Sequence, residues 1–220
     1  MLVLFRNLKG TDFLIASLAY LIVLLISFTL HEWAHANAAY SCGDYTPKAA
    51  GRLTINPLAH IDPIGFLCSA LFCFGWAKPV PVDPTRFRKY RKGMILTSIA
   101  GVTMNLLLAF VACGAYMLFT KLFVINNYFM LFIQMFFYTM FSLNISLFVF
   151  NLLPIAPLDG FNFIAAITSY GNKFVQFMAK YGFIILIALL VIGDFAGGSL
   201  LVRLVNWISY PIVRFWGLII

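Results

Sequence analysis

Two of the chain's three histidines and its only glutamate fall within five residues, as His31-Glu32-Trp33-Ala34-His35. On a helix, side chains four positions apart share a face, so both imidazoles can reach one metal ion. Glu32 lies beside them, where a carboxylate can take a proton from metal-activated water. The spacing therefore carries the chemistry of a zinc hydrolase, which takes three protein ligands and keeps one position for water.

The third ligand must come from elsewhere, and His60 and Asp159 are the candidates. Asp159 closes the run Asn151-Leu152-Leu153-Pro154-Ile155-Ala156-Pro157-Leu158-Asp159-Gly160, directly behind a long apolar segment. Two prolines and a glycine interrupt a helix at membrane depth, which is tolerated only where the backbone lines a cavity or is buried in protein. Taken alone, Asp159 reads as the N-cap of a helix starting near Phe161. With H-E-x-x-H in the same bundle, it reads better as a ligand. The bland reading of the histidines is polar residues ending a span at the interface. Against it, ionisable groups inside membranes are costly and mark function.

The elements that must position these groups are membrane helices. Of 220 residues, 63% are hydrophobic and only 10% charged, with a mean hydropathy of +0.96. Soluble domains are about 45–50% apolar and about 25% charged, so an ordinary soluble enzyme is excluded. Disorder and a disulfide scaffold are excluded with it. The expected fold is an all-α polytopic membrane bundle of about five spans: 13–40, 94–119, 128–153, about 183–195 (starting near Val175), and 200–220. The 63–76 stretch is too short to cross and reads as re-entrant or interfacial. Residues 41–92 form a small β/loop insert between the first two spans, with Arg52–Asn56 alternating like a short strand. The whole reads as a single domain, 1–220, with no cleavable signal peptide.

The net charge of +8 sits in membrane-flanking loops. The run Arg86-Phe87-Arg88-Lys89-Tyr90-Arg91-Lys92 interleaves aromatics with charge, but it abuts an apolar span, so no nucleic acid is expected. The four cysteines show no C-x-x-C spacing, and the three in or beside apolar runs read as small hydrophobes.

Two motifs carry a family resemblance. His31-Glu32-x-x-His35 on the first span and Asn151-x-x-Pro154-x-x-Pro157-x-Asp159-Gly160 after the third resemble those of site-2 proteases, the intramembrane zinc metalloproteases. The resemblance covers about residues 11–165, with the spans at about 175–220 additional, and 56–65 also resembles compact bacterial members. It implies one Zn2+ held by His31, His35 and Asp159, with Glu32 as catalytic base. It further implies hydrolysis of a peptide bond in or near a transmembrane segment, single-span membrane-protein substrates, and regulated intramembrane proteolysis. The chain resembles the compact form without a PDZ or CBS domain.

Asn105, in Ala100-Gly101-Val102-Thr103-Met104-Asn105, resembles an Ala-Gly-Pro-x-x-Asn element, with Val102 in place of proline. Asn105 and Asn151 are candidates to bind substrate backbone or an oxyanion, or else to make interhelical hydrogen bonds. His60 is a candidate supporting group behind the metal ligands, a substrate-entrance residue or a plain loop histidine. An extended substrate could add to the expected strand at Arg52–Asn56. Two rival functions are a membrane zinc hydrolase of non-transmembrane substrates and a non-catalytic zinc-binding protein or transporter. With five spans, ten basic residues fall on the face carrying 41–92 and four (Arg6, Lys9, Lys121, Arg203) on the other. The positive-inside bias then puts the insert in the cytoplasm, in a plasma-membrane protein with its active site toward the cytoplasmic side.

Overall fold

Long apolar runs free of interior proline form the three central helices: α1 (Gly10–Ser41), α4 (Tyr90–Leu122) and α5 (Tyr128–Asn151). Between α1 and α4 lie the short α2 (Thr46–Ala49) and α3 (Pro63–Phe72). Beyond α5 come α6 (Asp159–Ile167), α7 (Lys173–Phe195) and α8 (Leu200–Ile219). This computed structural model describes residues 8–72, 75–168, 171–195 and 200–220.

The three central helices pack mutually through small residues. Ala16, Ala19, Ser27, Ala36 and Ala39 of α1 are buried, as are Gly101, Asn105, Ala109 and Cys113 of α4, which recur every four residues. Small side chains let backbones approach closely, the usual solution where lipid removes the hydrophobic drive between helices. Val23, Ala112 and Met140 meet where all three helices converge. The outer faces are equally apolar, with Leu14, Leu18, Leu107, Val111, Leu118 and Phe129 exposed. A helix apolar all round belongs in a membrane or a large core. Among the described residues, α1, α4 and α5 are long and apolar enough to cross a bilayer. Helices α7 and α8 fall in the sequence segments expected as the fourth and fifth spans. Trp216 docks α8 on α4, its indole N–H donating to Phe110 O at 2.9 Å.

The insert is an excursion closed at its base. Two residues past the end of α1, Gly43 turns the chain with a φ of +108°, which glycine adopts without strain. The chain returns beside it, Arg88 N–H donating to Cys42 O at 2.9 Å. In between, α3 lies against α1: Phe66 packs on the cluster of Ala16, Tyr20, Leu24 and Phe28, and Tyr20 Oη donates to Ser69 O.

The expected strand at Arg52–Asn56 does not form, nor does any strand among the described residues. Local side-chain bonds win over a ladder there. Thr54 Oγ1 accepts from Asn56 N–H, and Asn56 Oδ1 from Leu58 N–H. Arg52 itself turns inward and is 4% exposed, so the apparent alternation reflects a buried cation rather than a pleat.

Candidate metal centre

His31 and His35 sit one turn apart on α1 and face α4 and α6. Their Nε2 atoms are 3.0 Å apart, and Asp159 Oδ2 lies 3.4 Å from the first and 3.2 Å from the second. Among the described residues, these three form the one cluster of His, Cys, Asp or Glu suited to a metal ion. Ten residues of α1 follow His31 before the helix ends at Ser41. At 1.5 Å per residue the cluster lies about 15 Å inside that end.

Asp159 arrives by a forced turn. Helix α5 ends at Asn151, prolines follow, and α6 restarts at Asp159 with Leu158 at its N-cap and no side-chain cap. The carboxylate thus does not cap α6, and the capping alternative falls away. Gly160 explains how the restart fits: a Cβ there would lie 2.2 Å from Leu152 O. Arg91 of α4 holds the far end of α6 through the carbonyls of Ala166 and Ile167.

Two observations test whether the cluster fits a metal. Asp159 Oδ2 is buried and accepts no properly aligned hydrogen bond. A buried carboxylate oxygen that faces two ring nitrogens without a hydrogen bond from either is expensive, and a cation at this point would remove the cost. Gly101 of α4 supplies the room: a Cβ there would lie 2.2 Å from His35 Nε2 and 2.7 Å from His31 Nε2. Zinc bonds of about 2.0–2.2 Å in a tetrahedron put ligand atoms about 3.3–3.6 Å apart. The observed spacings come within a few tenths of an ångström of that. The donor set fits zinc.

The other ring nitrogens are held from behind. His35 Nδ1 lies 2.7 Å from Thr97 O, and His31 Nδ1 lies 3.1 Å from Asn105 Nδ2. Asn105 is fully buried. Beside the cluster is a cavity of about 590 Å³ bounded by α1, α4, α5, α6 and α7, whose walls include Glu32, Asn151, Asp159, Trp76 and Val80. Asn151 donates to Leu147 O at its own helix end, 3.1 Å away.

An extended strap, residues 75–83, forms one side of this cavity. Val80 N–H donates to Glu32 Oε2 at 2.9 Å. Arg52 holds the strap by donating to Lys78 O at 3.1 Å and Pro79 O at 2.7 Å. Lys78 N–H donates to His60 O, and the His60 ring lies 2.7 Å from Thr54 O through Nε2 and 3.4 Å from Arg52 through Nδ1. At the other end Asp44, fully buried, accepts from Asp83 N–H at 2.7 Å and Thr46 N–H at 2.9 Å. Outside the membrane helices, Asp83 caps the next turn, and the Thr85 hydroxyl and Arg86 hold its carboxyl below the usual range.

Of the residues singled out in the sequence, His31, Glu32, His35, Asn105, Asn151 and Asp159 meet at one cavity. His60 does not: it is fully buried at the strap's anchor and outside the metal-suited cluster. Sequence reading missed Gly101, Arg52 and Asp44. A buried arginine leaves no periodic signal, although Gly51-Arg52 within an otherwise uncharged stretch was a visible oddity.

The family model described as Peptidase family M50 matches residues 122–192, which include the Asp159 element. The chain is 42% identical over 183 residues to "Putative zinc metalloprotease YwhC" of Bacillus subtilis, covering 78% of this chain and 80% of that protein. It is 30% identical over 177 residues to "Putative zinc metalloprotease Rip2" of Mycolicibacterium smegmatis, covering 76% of this chain and 64% of that protein. No solved structure gives a significant match.

Proposed function

The chain belongs to peptidase family M50, the site-2 protease family, and from that premise we propose that it is an intramembrane zinc endopeptidase. Its substrates are single-span membrane proteins cut in or near their transmembrane segment, as a step of regulated proteolysis. The observation carrying this reading is the convergence of His31, His35 and Asp159 beside Glu32 at a cavity within the helix bundle. His31 Nε2, His35 Nε2 and an Asp159 oxygen hold one zinc ion. When bound, zinc supplies a Lewis acid that polarises a carbonyl and makes water nucleophilic near neutral pH.

Glu32 takes the proton of the attacking water and returns it to the departing amine, a general base turned general acid. Val80 N–H on Oε2 fixes the carboxylate's orientation, and Oε1 is left to take the proton. A helical substrate has its carbonyls bonded internally, so it must unwind to reach Glu32. Asn151, in the cavity wall, is placed to donate to the unwound backbone. The fully buried His60 holds the strap rather than substrate.

The chain acts as one membrane-embedded unit with five spans, its catalytic core at about 11–165 and α7 and α8 beyond it. The 41–92 insert faces the cytoplasm of a plasma-membrane protein by its basic excess. Cleavage near the cytoplasmic end of the substrate span then releases a cytoplasmic fragment.

The test is purified, zinc-loaded protein in detergent incubated with a single-span substrate carrying helix-breaking residues. Cleavage by wild type and none by Glu32→Gln supports the reading. Equal cleavage by both, or a wild type that binds no zinc, overturns it.

A further inference from the structure

His31 and His35 differ in what stands behind them. An imidazole that ligates through Nε2 must carry its proton on Nδ1, and the group behind the ring fixes that choice. For His35 the group is Thr97 O, 2.7 Å from Nδ1. A carbonyl can only accept, so Nδ1 of His35 holds the proton and Nε2 is bare. For His31 the group is the side-chain amide of Asn105, on a different helix and fully buried. An amide can present a donor or an acceptor from the same position by turning half a revolution.

With Nδ2 toward the ring, 3.1 Å from Nδ1, Asn105 donates and the His31 proton moves to Nε2. That proton would then point into the cluster, where His35 Nε2 lies 3.0 Å away and Asp159 Oδ2 3.4 Å away. With Oδ1 toward the ring, Asn105 accepts from Nδ1–H and Nε2 is bare. Counting hydrogen bonds does not choose: Asn105 Oδ1 is buried without a partner as placed, and turning the amide leaves Nδ2 in its stead. The ligand role of His31 does choose, because only the accepting orientation leaves Nε2 free.

We propose that Asn105 is a positioning residue that accepts from His31 Nδ1–H and so sets the tautomer in which His31 binds metal. This rests on the reading of His31, His35 and Asp159 as a zinc site. Asn105 does to His31 by a side chain what Thr97 O does to His35 by the backbone. A side chain can be substituted without disturbing the helix, which makes the role testable.

The experiment measures metal affinity, not cleavage, by chelator competition and by the visible absorption of Co2+ loaded into the purified chain. Wild type and Asp159→Ala set the scale. Asn105→Leu, near in shape but unable to accept, should weaken binding by about 10–100-fold, the usual cost of losing such a partner. Asn105→Asp keeps an acceptor and no donor, and should restore wild-type affinity. Leu and Asp variants weakened alike would make Asn105 a donor or a packing residue, and a Leu variant of wild-type affinity would remove any role; both overturn the proposal. If Asn105→Asp does not fold, the 1H shift of His31 Nδ1–H in the zinc-loaded wild type answers instead: a downfield, hydrogen-bonded proton that moves upfield in Asn105→Leu supports the proposal, and a proton unchanged by Asn105→Leu overturns it. A wild type that binds neither Zn2+ nor Co2+ overturns the zinc site itself. That outcome is distinct from altered affinity confined to Asn105 variants.

Discussion

Val80 N–H donates to Glu32 Oε2 across 2.9 Å, joining two residues 48 positions apart. One comes from the C-terminal third of α1 and the other from the strap that returns from α3. The base proposed for catalysis is therefore oriented by a backbone amide whose own position depends on Arg52, His60 and Asp44. The chemistry on α1 and the fold of the insert are one structure.

Loosening the strap should impair cleavage without touching the metal. Arg52→Met leaves the carbonyls of Lys78 and Pro79 without their charged donor. Hydrogen bonds to charged groups contribute about 1.5–3 kcal/mol each. Transmitting about half of one bond to the placement of Glu32 lowers turnover by about 4- to 13-fold. Zinc content should remain that of wild type. Full turnover would show that the strap keeps its place without Arg52.

Gly101→Ala should empty the metal site of a folded protein. The added Cβ would lie 2.2 Å from His35 Nε2, and both crowded rings are held from behind. We expect zinc per chain, by elemental analysis, to fall well below one half, with unchanged elution on gel filtration. Wild-type zinc content would mean that α1 and α4 can part without cost.

Glu32→Gln keeps shape and the acceptor for Val80 N–H while removing the base. Zinc should stay near one per chain while cleavage falls by about 10²–10⁴-fold, the range for lost acid–base catalysis. A variant that lost zinc as well would assign Glu32 to the metal instead.

Asp159→Ala and His60→Ala should separate ligand from anchor. The first removes a ligand oxygen and should strip zinc under mild chelation. The second leaves the three ligands in place and should keep zinc, while exposing the 52–80 region to protease as the His60–Thr54 contact is lost. The reverse pattern would make His60 the third ligand.

Orientation can be read by thiol labelling at Lys89→Cys in a chain lacking its native cysteines. Lys89 is exposed at the start of α4, within the basic cluster. An impermeant maleimide should label it only after the cells are opened. Labelling of intact cells would reverse the topology and the side on which the fragment is released.

Much of this protein was written locally. H-E-x-x-H places two imidazoles on one helix face because the α-helix repeats every 3.6 residues, whatever surrounds it. Asn151 to Gly160 announces a break and restart because proline lacks an N–H and glycine lacks a Cβ. Runs of some 20 apolar residues announce spans because a bilayer has a fixed thickness. Short local signals mislead where a buried group rules the backbone, as at Arg52–Asn56, where alternation stood for an inward arginine and not for a strand. Tertiary structure alone set Asp159, and not His60, beside His31 and His35, brought Gly101 against both rings, and put Val80 on Glu32 and Asn105 behind His31. Each of those pairs joins residues tens of positions apart, and periodicity carries no information about which distant atoms will meet. That is settled only when the helices pack, because a contact of a few ångströms depends on where every element comes to rest.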